Sequence, residues 1–178
     1  VGQQAESGVP LMYGDSNIDN ETPPTALVEG QDNIIPLTSR NLVVLGDNNN
    51  TGNDTKNNSF IGDDNTLASG NGNNLIVGDD NIVGITNNSL GIFGNNNTIG
   101  RDGGKNAVFG DINIIGNNSD NLAIYGSNNN IGDTTDTVAI LGNSNIIGTG
   151  VANSSVFGGG NNVGNSCIAV GIYGPSNT

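Results

Sequence analysis

Histidine is absent from this 178-residue chain, cysteine occurs once, at Cys167, and only four residues are basic. Each scarcity removes a class of function. Without histidine the commonest general base is missing, and Cys167 has no imidazole to activate it. No zinc site of Cys/His type can form, and a single cysteine closes no intrachain disulfide. Four basic residues against 17 acidic ones leave a net charge of −13, which argues against nucleic acid, whose binding needs clustered Lys and Arg. The same balance argues against an anionic membrane surface. No apolar run approaches transmembrane length and no signal-peptide pattern opens the chain, so this segment is not expected to insert in a membrane.

Aromatic residues make up only 4 %, whereas glycine numbers 29 and asparagine is commoner still. Both weaken helix interiors and favour turns. Such bias accompanies disorder in chains that lack regularly spaced Ile, Val and Phe. Here those residues recur with strict timing, so the polar background reads as turn chemistry. Asn-X-Ser/Thr triplets start at Asn53, Asn57, Asn87, Asn96 and Asn117. Glycans on many of these would crowd a tight repeat, which points to a bacterial or phage source.

Internal repetition organises the rest. Glycine falls at 14, 30, 46, 62, 78, 94, 110, 126, 142, 158 and 174, a spacing of 16 each time. Three residues after each stands an asparagine: Asn17, Asn33, Asn49, Asn65, Asn81, Asn97, Asn113, Asn129, Asn145, Asn161 and Asn177. Two residues before it lies an aliphatic or Phe side chain, from Met12 and Val28 to Ile172. Five residues after it come Ile35, Leu67, Val83, Ile99, Ile115, Ile131, Ile147 and Val163, with Asp19 and Thr51 departing. A second glycine usually follows, then a variable polar stretch.

Each unit thus holds two short β-branched runs between turn residues, too short for helices and suited to strands. The expected fold is all-β, a parallel β-roll or β-solenoid of about eleven 16-residue coils with two short strands per coil. At roughly 4.8 Å per coil the rod would be on the order of 50 Å long. Residues 41–178 hold the regular repeats. Residues 1–40 are less regular, and Pro10, Pro23, Pro24 and Pro36 there favour a cap that blunts end-to-end stacking.

Identical amides one strand spacing apart can bond along the rod as a ladder, so the asparagine column reads as structural. Asp15, Asp47, Asp63, Asp79 and Asp111 directly follow the repeat glycine. They are expected to be solvated corner carboxylates rather than a cation site, since the calcium-binding nonapeptide pattern is absent from this frame.

The residue directly before the glycine carries information about assembly. Neighbours along a strand face opposite ways, yet this position is also apolar in nearly every coil. Phe93, Phe109, Tyr125, Leu141, Phe157 and Tyr173 form a second stripe that a single coil cannot bury. Small residues two positions earlier (Ala107, Ala123, Ala139, Ser155) are expected to leave room for close approach. Such a stripe exceeds what a soluble monomer normally exposes, and a homotrimer about a threefold axis is the simplest closed arrangement that shields it.

The runs Asn106-Ala-Val-Phe-Gly110, Asn121-Leu-Ala-Ile-Tyr-Gly126 and Thr137-Val-Ala-Ile-Leu-Gly142 resemble the Ser-Val-Ala-Ile-Gly signature of YadA-like head repeats of trimeric autotransporter adhesins. The glycine pair in Gly110-Asp-Ile-Asn-Ile-Ile-Gly116 resembles theirs as well. The resemblance spans nearly the whole chain on short motifs. It implies a left-handed trimeric β-roll on the bacterial cell surface, outside the outer membrane, held by a stalk and anchor that lie beyond these residues. The expected role is attachment to a host cell-surface glycoprotein, such as a carcinoembryonic-antigen-type adhesion molecule, or to an extracellular-matrix protein. Asn richness, the aromatic before the glycine and the fixed repeat length depart from the family pattern.

No catalytic constellation emerges, and neither enzyme activity nor a cofactor or metal is expected. Carboxylate pairs such as Asp63-Asp64 sit at repeated corners, and repetition points to architecture. Receptor contact would fall where coils differ: Lys56, Arg101, Asp102, Lys105, Asp120, Asp133 and Asp136 lie in the variable stretch, expected on the outer side of the coil. A phage tail-fibre or tailspike shaft, an ice-binding or scaffold solenoid and a solenoid carbohydrate-active enzyme are the competing readings. The mixed column Ile34, Asn50, Thr66, Ile82, Thr98 and Asn130 lacks the regular threonine array of ice binders.

Overall fold

A computed structural model describes residues 11–15, 18–19, 26–36 and 38–177. Val1–Pro10, Asn17, Pro23 and Pro24, to which the cap and ladder expectations refer, lie outside the described residues. The chain forms an all-β parallel solenoid without a helix among the described residues. One sheet has eleven strands, from Leu11–Tyr13 to Gly171–Tyr173, and a second has ten, from Ile18–Asp19 to Asn162–Val163. All pairing is parallel with a shift of 16, as in Ile92↔Val108 and Phe93↔Phe109 of the first sheet or Ile99↔Ile115 of the second. The strands of residues 11–35 join in this same register.

Turn chemistry sets the cross-section. In the coil that begins at Gly46 (φ 133°), Asn48, Asp54 and Asn57 all adopt left-handed backbone, with φ of 55°, 57° and 55°. Later coils repeat those corners, mostly with Asn, Asp, Ser, Thr or Gly, of which Gly, Asn and Asp reach this region most cheaply. The repeat glycine is a steric requirement: a Cβ at Gly110 would run into the carbonyl oxygen of Gly126 in the next coil. Ile112 differs from its neighbours in the column, an aliphatic β-branched side chain at φ 58° and 54 % exposed.

The variable stretch departs from its expected place. It is not simply an outer loop but a third side of the coil. Arg40, Lys56, Gly72, Asn88, Gly104, Asp120 and Asp136 pair in succession as single parallel bridges. Next to that ladder the backbone turns side chains inward. Thr55, Asn71, Asn87, Ser119, Thr135 and Val151 form one buried column, and Leu42, Asn58, Asn74, Leu90, Asn106, Leu122 and Val138 form another.

The core is accordingly about half apolar and half polar, the polar part mostly asparagine with some serine and threonine. Val28, Val44, Phe60, Ile76, Ile92, Val108, Ile124, Ile140 and Val156 are fully buried or nearly so on the first sheet, facing Ile35, Leu67, Val83, Ile99, Ile115, Ile131 and Ile147 of the second. Each such side chain contributes about 1.5–3 kcal/mol on burial. Thr51, which breaks the apolar column, is also buried and reaches the carbonyl of Ile34 through its hydroxyl at 3.4 Å.

Candidate functional site

The asparagine column stands at the corner between the first and second sheets. From Asn49 to Asn145 each amide nitrogen donates to the Oδ1 of the asparagine one coil earlier, at 3.0–3.1 Å, and to the carbonyl of the repeat glycine one coil later. Each Oδ1 also accepts the backbone N–H of the following asparagine, as Asn97 does from Asn113 at 3.0 Å. Asn33, Asn65, Asn81, Asn129 and Asn161 belong to the same buried chain. Pairing of this kind removes most of the cost of burying an amide. Among the described residues Asn74, in a buried column of the third side, has an amide nitrogen left without a partner.

The glycine-adjacent carboxylates prove more than solvated corners. Although exposed, Asp47, Asp63, Asp79 and Asp111 accept the backbone N–H of the preceding coil at the same position, at 2.7–2.8 Å. A carboxylate, amide or hydroxyl serves equally, which explains why Asn95, Ser127 and Asn143 occupy the same column. No grouping of acidic or sulfur side chains able to hold a metal ion occurs among the described residues.

The seven candidate contact residues share the third side. Lys56, Asp120 and Asp136 stand in the bridge column itself. Arg101 and Asp133 occupy equivalent places one corner earlier and two coils apart. Asp102 and Lys105 sit at left-handed corners with φ of 57° and 55°. Lys56 lies three coils from Gly104 and apart from the other six.

Around Gly103 and Gly104 the surface is notched. A depression of about 320 Å³ is lined by Asn88, Ser89, Asp102, Gly103, Gly104, Lys105, Asp120 and Asn121. It forms because Gly104 presents no side chain between Asn88 and Asp120, its neighbours in the ladder. Arg101 pairs with its neighbour Asp102 at 3.8 Å, both well exposed, a contact worth little in water. Asp102 also accepts the hydroxyl of Thr86. Asp136 accepts from the Asn121 amide at 2.8 Å and the Thr137 hydroxyl at 3.1 Å. The Asn121 hydrogen bond, helped by those of Thr137 and the charge of Lys105, holds the Asp136 carboxyl below its ordinary range against the opposing effect of desolvation. The notch offers carboxylate acceptors, amides and one ammonium, a set suited to polar contact.

The aromatic stripe runs along the outer surface of the first sheet. Phe93, Phe109 and Tyr125 stack coil upon coil, with ring centroids 5.0 and 4.8 Å apart and planes within 2°, and Phe157 stacks on Tyr173 at 5.2 Å. Leu141 separates the two stacks. At two glycines in the same column as Ala107, Ala123, Ala139 and Ser155, the chain's own rings take up part of the room. The ring of Phe93 lies 3.7 Å from where a Cβ of Gly91 would stand, and that of Tyr173 lies 3.2 Å from the same point at Gly171. Small residues therefore admit the chain's own rings. Even so, Phe93 and Phe109 remain 37 % exposed and Tyr125 50 % on the single chain.

Sequence reasoning missed the buried polar columns of the third side. Asn87 donates to the carbonyls of Gly84 and Gly100, and Asn106 to that of Ser119. Constant spacing was the available signal, but Thr, Asn, Gly, Ser and Val alternate there and conceal it. No protein-family model matches the sequence. No curated protein is detectably related to it.

Proposed function

We propose that this chain is a head segment of a bacterial surface adhesin of the trimeric autotransporter kind, attaching to a host cell-surface glycoprotein or extracellular-matrix protein. The observation that carries the reading is the apolar stripe from Leu45 to Tyr173, whose exposed members are 37–72 % accessible on one chain. Stacking covers the flat faces of the rings and leaves their edges outward. Coplanar stacked rings offer no free face to a sugar, which favours a protein surface as their cover. A parallel copy brings the same coil spacing, so contacts made in one coil recur in all.

The resemblance of the Ala-Val-Phe-Gly and Ala-Ile-Tyr-Gly runs to adhesin head repeats supports the same reading. In a homotrimer closed on the first sheet, the third side with its notch would face outward, available to a receptor such as a carcinoembryonic-antigen-type molecule. The head acts as a non-enzymatic binding surface outside the outer membrane and needs no cofactor.

Sedimentation equilibrium of the chain at micromolar concentration is expected to return three times the chain mass, and a monomer would sink the trimer. Solid-phase binding to matrix proteins and adhesion receptors tests the attachment role. Replacing Arg101 and Lys105 by alanine should weaken any binding found, and unchanged binding would remove the notch from the account.

A further inference from the structure

The second sheet presents a different surface, a single rank of side chains beside a bare strip. Four residues after each repeat glycine the side chain points out while its neighbour is buried, as at Thr66, Ile82, Thr98, Ile114, Asn130 and Ile146. Ile82, Ile114 and Ile146 are 51 %, 47 % and 50 % exposed, more than Phe93 or Phe109 in the stripe. Over these coils isoleucine alternates with a hydroxyl or amide residue, so it recurs about every 10 Å.

Two residues further along each strand no side chain rises. Glycine stands at 84, 100, 116, 132 and 148. A Cβ at Gly100 would meet the carbonyl carbon of Gly116 at 2.7 Å and the amide of Asn117 at 2.8 Å. Ridge and trough therefore run side by side along the rod. Neither column carries a charge between residues 66 and 164, although the net charge is −13.

That surface is complementary to itself. A half-turn about an axis parallel to the rod, passing over the buried column of Ile99 and Ile115, lays each ridge over the other copy's trough. Coils stay level, so the match recurs along the whole length. We infer that this side of the solenoid pairs with the same side of a second copy, the two rods parallel. The contact is isologous and closes on itself. Its extent is roughly 40 by 10 Å, or on the order of 400 Å² per partner. That is about half the 800 Å² of a standard stable interface. Pairing is accordingly weak in dilute solution and strong only where many copies are held together. It uses a different side from the aromatic stripe and holds for a lone rod or a trimer.

Sedimentation of the full chain over a concentration series separates the two assemblies. The dilute mass reports the stripe, and the rise with concentration reports this face. At millimolar concentration the mass is expected to climb toward twice its dilute value for a lone rod, and beyond twice for a trimer, which presents this face three times. Replacing Ile82, Ile114 and Ile146 by Glu should abolish the climb and leave the dilute mass unchanged. Asn48→Asp, Asn96→Asp and Asn128→Asp add equal charge at the corners and should leave the climb in place. Ile114→Glu alone should weaken it at least severalfold. A mass independent of concentration, or a climb lost equally in the corner variant, overturns the inference. So does arrest of ice growth by the unaltered chain that the Ile→Glu variants lose, which would give the rank to an ice surface.

Discussion

Two columns of asparagine run along this rod, and they behave differently. In the corner column every amide from Asn49 to Asn145 is buried and bonded both ways along the axis. On the third side Asn41, Asn57 and Asn73 also pass hydrogen bonds between coils, at 2.8 and 3.0 Å, but in solvent. That second ladder then breaks. Asn73 turns to Asn88 in the adjacent column, and Ser89, Lys105 and Asn121 follow at the same position. Residue type and spacing are shared, but burial differs, and Asn41, Asn57 and Asn73 also adopt left-handed backbone (φ 56°, 55° and 57°), which the corner column does not. A buried amide must keep its partner or lose about 1–3 kcal/mol for each orphaned group, whereas an exposed one exchanges partners with water at little cost. Variation between coils therefore sits on the third side, and so does the notch.

Breaking the buried ladder should have the largest effect. Asn97→Ala removes the donors to Asn81 and Gly110 and the acceptor for Asn113, and is expected to cost about 3–6 kcal/mol. That is a large part of the usual stability of a domain, and urea unfolding measures it. Ile112→Asn puts at a left-handed corner the residue found there at Asn96 and Asn128. It should raise stability by about 1–2 kcal/mol, read as a shift in the urea midpoint. Asn73→Gly keeps the corner backbone and deletes an exposed rung, and should change stability by less than about 0.5 kcal/mol in the same assay.

The smallest effect concerns pH. Because the folded Asp136 carboxyl lies below its ordinary value of 3.8, its contribution is fully present above that value. It is lost as pH falls through the lower folded value. Asp136→Asn should flatten this part of the acid limb, and carbon-detected titration of Asp136 should show the depressed midpoint in the parent chain.

The difference between the columns also explains what could be read in advance. The glycine and asparagine frame and the two apolar columns of Ile, Val and Leu were legible, because each keeps one chemistry at one spacing. The third side was not. Its inward positions pass from Thr55 to Asn71, Gly103 and Val151, so neither hydropathy nor residue type repeats, although the backbone does. The candidate residues near Arg101 were legible as breaks in the pattern. Their meeting with Asp120 across one coil depended on a bridge, Gly104 to Asp120, that no local motif announces. The exposed isoleucine rank was visible as a mixed column, but its bare neighbour gained meaning only from the packing between glycines.

Side-chain amide hydrogen exchange distinguishes the two ladders most directly. The Nδ2 protons of Asn49, Asn65, Asn81, Asn97, Asn113, Asn129 and Asn145 are predicted to exchange as slowly as the backbone amides of Ile92 and Val108. Those of Asn57 and Asn73 should exchange at rates near those of a free amide. Equal rates in the two columns would contradict the claim that burial, and not repetition, makes the corner asparagines the spine of this rod.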